Sequence, residues 1–86
     1  MGTPNGGVIM DIYVKLYGLL RRYGNENGEI TLHMVSGVTI QDVLNELKIP
    51  KGLYALTVVN GSVMKPETKL EESKIEIIVY PPANGG

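Results

Sequence analysis

Hydrophobic and polar residues alternate cleanly over positions 10–17. Ile12, Val14 and Leu16 fall on one side, and Tyr13, Lys15 and Tyr17 on the other. Successive side chains of a strand point to opposite faces, so this period of two predicts a half-buried β-strand. The same alternation returns at 29–35, with Ile30, Leu32 and Met34 on one face. It returns again at 74–80, where Ile75, Ile77 and Val79 oppose Glu76, Ile78 and Tyr80. Glycines bracket the polar stretch 18–28, which reads as a long connection with room for one helical turn at 19–23. Two strands joined by such a loop predict an antiparallel pair. The period then changes. Within 36–50, Ile40, Val43, Leu44 and Leu47 stand at i, i+3, i+4 and i+7, the apolar stripe of an amphipathic helix. Thr39, with Asp42 three residues on, offers an approximate capping box at its start, and Pro50 and Gly52 are placed to stop it.

Residues 53–64 predict a strand, a tight turn at Asn60-Gly61 and a short return strand. Asn-Gly accommodates the positive φ angles of a type I′ hairpin turn. The segment 65–73 is polar and reads as a connection. Pro81 cannot donate to a ladder, so strand pairing is expected to end there. The resulting order, β-β-α-β-β-β, packs one amphipathic helix across one mixed sheet, an α+β architecture. The first and last strands carry continuous Ile/Val/Leu faces and are expected to lie side by side in the sheet centre. That pattern is the β-grasp, or ubiquitin-like, fold. Three segments are expected: 1–9 as a disordered leader or non-native extension, 10–80 as the β-grasp domain, and 81–86 as a flexible C-terminal tail.

Composition narrows the chemistry. With 86 residues the chain has room for one domain. A formal net charge of −1 provides no basic field for nucleic acid, and no apolar run is long enough to span a bilayer. No signal-peptide pattern opens the chain. The absence of cysteine removes thiolate metal sites and a thiol nucleophile together, and suits a cytoplasmic protein. His33 is the only histidine and sits inside an alternating run, so it reads as a solvent-facing strand residue. The carboxylates Asp42, Glu67, Glu71 and Glu72 are scattered over loops and helix ends, a solvated surface rather than an acid–base pair. Neither Gly6-Gly7 nor Gly85-Gly86 has the strand-to-helix context of a phosphate loop.

The end of the chain stands apart. Pro81 and Pro82 hold an extended root. Gly85 and Gly86, lacking Cβ atoms, can enter a slot too narrow for any other residue. This suits presentation of a C-terminal carboxylate to another protein's active site. A floppy terminus, or a chain cut at this point, fits the tail equally well on its own. A second feature favours presentation. Tyr17, Ile78 and Tyr80 should face away from the helix, and with Val63 or Met64 they could form an exposed apolar patch near the tail root, the usual mark of an interaction site.

These residues are also where the chain resembles a known family, the MoaD/ThiS-type sulfur-carrier proteins, and within it the small subunit of molybdopterin synthase. "IYVKLYGLLRRYG" resembles the family's strand, small residue, Arg and closing Gly, here Gly18, Arg21 and Gly24. "GVTIQDVLNEL" is similar to its helix start, "VVNGSVM" to its hairpin, and "YPPANGG" to its aromatic-Pro-Pro-x-x-Gly-Gly end. The resemblance runs over 10–86. Arg22 departs from it, standing where an acidic residue is frequent, and Tyr17 and Tyr80 stand where phenylalanine is common.

The resemblance implies a chemistry. A partner resembling ubiquitin activators would use ATP to adenylate the Gly86 carboxylate. Persulfide sulfur would then displace AMP, leaving a Gly86 thiocarboxylate, with Gly85 keeping the tail thin. In the synthase complex the tail would thread into the large subunit and donate sulfur for molybdenum or tungsten cofactor synthesis. The chain itself would bind no cofactor and would not be catalytic alone. Partner contacts would come from Tyr17, Arg21, Val63, Ile78, Tyr80, Pro81 and Pro82. The alternatives are a ubiquitin-like modifier conjugated to lysines through Gly86, or a sulfur carrier for thiazole synthesis.

Overall fold

A computed structural model describes residues 8–82. Five strands form one mixed sheet: β1 (Ile9–Leu16), β2 (Glu29–Val35), β3 (Leu56–Val59), β4 (Ser62–Val63) and β5 (Lys74–Tyr80). Their spatial order is β2-β1-β5-β3-β4. β1 runs antiparallel to β2 and parallel to β5, so the first and last strands are central neighbours, as their apolar faces predict. β1 starts at Ile9, one residue before the expected domain boundary, because Ile9 pairs with Val35 at the far end of β2. Residues 1–7 and 83–86, which include most of the expected leader and the Gly-Gly end, lie outside the described residues.

The single α-helix, α1 (Ile40–Glu46), covers one face of the sheet. Ile40, Val43, Leu44 and Leu47 meet Met10, Ile12, Val14 and Leu16 of β1 and Ile75, Ile77 and Val79 of β5 in one buried cluster. The capping box is complete. Thr39 Oγ1 accepts from the Asp42 N–H at 3.1 Å, and Asp42 Oδ2 accepts from the Thr39 N–H at 2.9 Å. Two otherwise orphaned donors of the first turn are thereby satisfied.

The helix ends sooner than Pro50 and Gly52 suggest. Lys48 adopts a left-handed φ of 64°, its N–H donating to the Asn45 carbonyl at 2.9 Å, while the Ile49 N–H donates to the Leu44 carbonyl at 3.2 Å. This is a Schellman closure, and its accompanying apolar pair is Leu44 and Ile49, both buried. Burying Ile49 requires the chain to turn at Lys48, so Pro50 only follows a helix already closed.

The Asn60-Gly61 turn is as expected, with φ of 47° and 89° at its two central residues. The polar connection 65–73 is less loose than its composition implies. Leu70 is buried, and its backbone exchanges hydrogen bonds with Gly37 and Val38, each at 2.8 Å, tying the connection to the start of α1. Thr57, the one polar residue among the buried ones, donates through its hydroxyl to the Met64 carbonyl at 2.6 Å.

Candidate functional site

The sheet face opposite α1 carries the candidate docking surface. The ladder register places two rows of side chains across it. Lys15, Ile78, Val58 and Val63 are successive partners on β1, β5, β3 and β4. One step toward the C-terminal end of β5, Tyr80 lies opposite Leu56. Tyr17 follows the last residue of β1, and its ring stacks on that of Tyr80 with centroids 5.2 Å apart and planes inclined by 7°. Near-parallel rings at that separation are offset, the arrangement that aromatic quadrupoles favour. Each of the two rings remains 37% exposed, Leu56 40% and Val63 65%. Apolar side chains of β3, β4 and β5 beside the Tyr17 ring make a surface suited to association.

Lys15 borders the surface with its ammonium 5.6 Å from the Tyr17 ring centroid. Hydrogen bonding to the Tyr17 phenol, reinforced by its charge when ionised, raises the Lys15 pKa above the ordinary lysine value. The surface is therefore cationic at one margin and apolar in the middle. Beside it, Tyr54, Leu56, Thr57, Val63, Met64 and Pro66 help line a groove of about 330 Å³.

The structure brings together Tyr17, Val63, Ile78 and Tyr80 from the sequence-derived set, and Pro81 and Pro82 follow directly from Tyr80. Of Val63 and Met64, it is Val63 that lies on this face. Met64 turns toward the other side and packs against the core. Arg21 belongs elsewhere, in the 3-10 turn Gly18–Tyr23. Its guanidinium donates to the Glu26 carbonyl at 3.4 Å, and its stem lies against Gly28 within the β1–β2 connection. Leu56 and Val58 escaped the sequence reading, since only the β3–β5 register shows that they share a face with Ile78 and Tyr80. Leu19, 83% exposed in the turn after Tyr17, was also missed. Gly85 and Gly86 lie outside the described residues.

His33 is exposed, and its Nδ1 lies 2.8 Å from Asp11 Oδ1 across β1 and β2. Among the described residues, no group of three or more His, Cys, Asp or Glu side chains could hold a metal ion, and no helix is long and apolar enough to cross a membrane.

The mixed sheet, its strand order and the single covering helix define a β-grasp, ubiquitin-like domain. Solved structures of similar shape come from small proteins of this class. The HVO 2177 protein of Haloferax volcanii superposes with a TM-score of 0.72 at 17% identity, over 99% of this chain and 94% of its own. A Pyrococcus furiosus protein named "Putative molybdopterin converting factor, subunit 1" gives 0.65 at 18% identity, over 85% of this chain and 98% of its own. The small archaeal modifier protein 1 of Methanosarcina acetivorans gives 0.64 at 23% identity, over 91% and 98%. At these identities the likeness is one of fold. No family model and no curated protein matches the chain.

Proposed function

We propose that this protein is a sulfur carrier of the molybdopterin synthase small-subunit type, working in the cytoplasm with its Gly86 carboxylate as the reacting group. The observation that carries the reading is the Tyr17–Tyr80 stack. It sets an exposed apolar docking face at the residue from which Pro81-Pro82 leaves the sheet. A partner seated on that face has the tail root at its edge.

A carboxylate is a poor acyl donor because oxide is a poor leaving group. An activating partner resembling ubiquitin activators would let the carboxylate oxygen attack the α-phosphorus of ATP, expelling pyrophosphate. The terminal sulfur of a persulfide then attacks the acyl carbon and expels AMP. A second thiol splits the resulting acyl disulfide, becoming oxidised to a disulfide, and leaves a thiocarboxylate. Its sulfur is ionised and nucleophilic near neutral pH. Docked on a large subunit of the synthase, the tail would deliver that sulfur to a pterin precursor. The domain supplies docking energy and the reacting atom, while the partners supply charge stabilisation.

The reading is tested on intact protein incubated with ATP, a cognate activating enzyme and a sulfur source. A mass gain of about 16 Da, the exchange of one oxygen for sulfur at an activated acyl carbon, is expected. An unchanged mass with a competent enzyme refutes it. A second reading is favoured by the likeness to a small archaeal modifier protein. There the activated Gly86 is attacked by a lysine amine of a target, giving an isopeptide bond. Reductant-stable conjugates in cell lysate, lost in Gly86→Ala, would support that use.

A further inference from the structure

The ladder between β1 and β5 stops at the Tyr17 N–H, which donates to the Val79 carbonyl at 3.3 Å. Pro81 has no N–H to extend it. Contact between the two chain segments nevertheless continues for two more residues. Tyr17 stacks on Tyr80, and Gly18 faces Pro81. A Cβ built on Gly18 would lie 2.9 Å from Pro81 Cγ, with Cδ and Cβ of the same ring at 3.7 and 3.9 Å. The ring thus lies over the bare face of the glycine, and Pro81 is half-buried there.

Gly18 is itself held on both sides. Its φ of +58° favours glycine. It opens a 3-10 turn in which the Leu20 N–H donates to the Tyr17 carbonyl at 3.0 Å and the Leu20 side chain is buried in the core. The wall against which Pro81 rests is therefore part of the folded domain.

We propose that Gly18 is a positioning residue: the Gly18–Pro81 contact sets the direction in which the C-terminal segment leaves the sheet. Its consequence for sulfur activation rests on the sulfur-carrier reading. The contact itself does not. A root fixed relative to the docking face reduces the number of directions a partner must sample before the terminal carboxylate reaches its active site. Neither an aromatic-Pro-Pro sequence nor a docking patch alone would supply that, because a stiff root with no contact to the domain can still swing about its junction with the sheet.

The chain has no cysteine, so cysteines placed at Glu46 and Pro82 can be spin-labelled uniquely and the distance distribution between them measured. A narrow distribution is expected in the parent protein. Pro81→Ala should broaden it, as should Gly18→Ala. The double variant should be no broader than Pro81→Ala, in which the contact is already lost and the backbone φ is also freed. Gly18→Ala also forces a side chain into the left-handed region and could impair folding. Pro81→Ala carries no such strain. Equal widths in the parent and Pro81→Ala overturn the proposal, whatever the protein's function.

A second arm measures ATP–pyrophosphate exchange with the activating enzyme. Releasing the backbone of one root residue should lower kcat about tenfold, with KM unchanged because the tyrosine face is intact. A rise in KM with kcat unaltered would make Pro81 a docking residue and overturn its aiming role. If the parent protein supports no exchange, the sulfur-carrier reading fails, and the label distances still decide the lock.

Discussion

Replacing Tyr17 and Tyr80 with alanine, singly and together, isolates the contact on which the docking face is built. The rings stack at 5.2 Å with a 7° inclination, and each is shielded over nearly two-thirds of its surface. Offset pairs of this kind couple by about 0.5–1.5 kcal/mol beyond the burial each ring contributes separately. A double-mutant cycle removes the separate terms, including the loss of Leu56 packing when Tyr80 is truncated. Urea unfolding of the four proteins should show a coupling near 1 kcal/mol. Thermal melts should show the double variant more stable than the sum of the singles predicts, by about 4–8 °C for a domain of this size. A coupling below about 0.3 kcal/mol, the usual additivity error, would mean that the stack contributes nothing and that the rings merely lie together. Binding is a separate question on the same variants. A tyrosine buried at the centre of an interface costs about 2 kcal/mol or more when truncated, roughly a 30-fold weaker Kd by calorimetry with the activating enzyme or large subunit. Tyr80→Asp should abolish binding, because it would bury an unpaired charge. Unchanged affinity in Tyr80→Asp removes this face from the interface, even if the stacking energy is as expected.

Two further substitutions probe the same architecture. Lys48 adopts the left-handed conformation at φ 64°, which costs a non-glycine residue about 1 kcal/mol, so Lys48→Gly should raise stability by a few tenths to about 1 kcal/mol in urea, glycine's larger unfolded-state entropy offsetting part of the gain; a loss of stability would show that Lys48 is held by something other than the helix closure. Val63 and Met64 are neighbours in sequence but lie on opposite sides, so Val63→Asp should weaken partner binding with little change in unfolding midpoint, whereas Met64→Asp should lower the midpoint itself by burying charge against the core. Equal effects of the two on stability would contradict the face assignment.

Period-two and helical spacings are local, and they made the three long strands and the helix readable from the residues themselves. Asn60-Gly61 was equally legible, because its chemistry demands one turn type. What the sequence concealed were the features decided by contacts between distant positions. Ile9 pairs with Val35 at the far end of β2, a partner that no local pattern names. The helix closes at a lysine, a residue with no left-handed signature. The sign that mattered was the apolar pair Leu44 and Ile49, which is meaningful only once the Schellman bonds are seen. Leu70 stands alone in "KPETKLEESK", with no periodicity to mark it as core, and is buried because its backbone docks beside Val38. The docking face divides in the same way. Alternation identified Tyr17, Ile78 and Tyr80, while Leu56 and Val58 depended on the β3–β5 register. The contact of Pro81 with Gly18 involves a glycine that reads from sequence as one bracket of the 18–28 connection and as the small residue of the family pattern. Its role follows from the parallel pairing of β1 and β5, which brings two segments more than 60 residues apart out of the sheet side by side. On the proposed reading the fold would contribute to function at a specific place. The Gly18–Pro81 contact would couple an apolar surface to the direction of the segment leaving it, so that a partner docked on the first is offered the second.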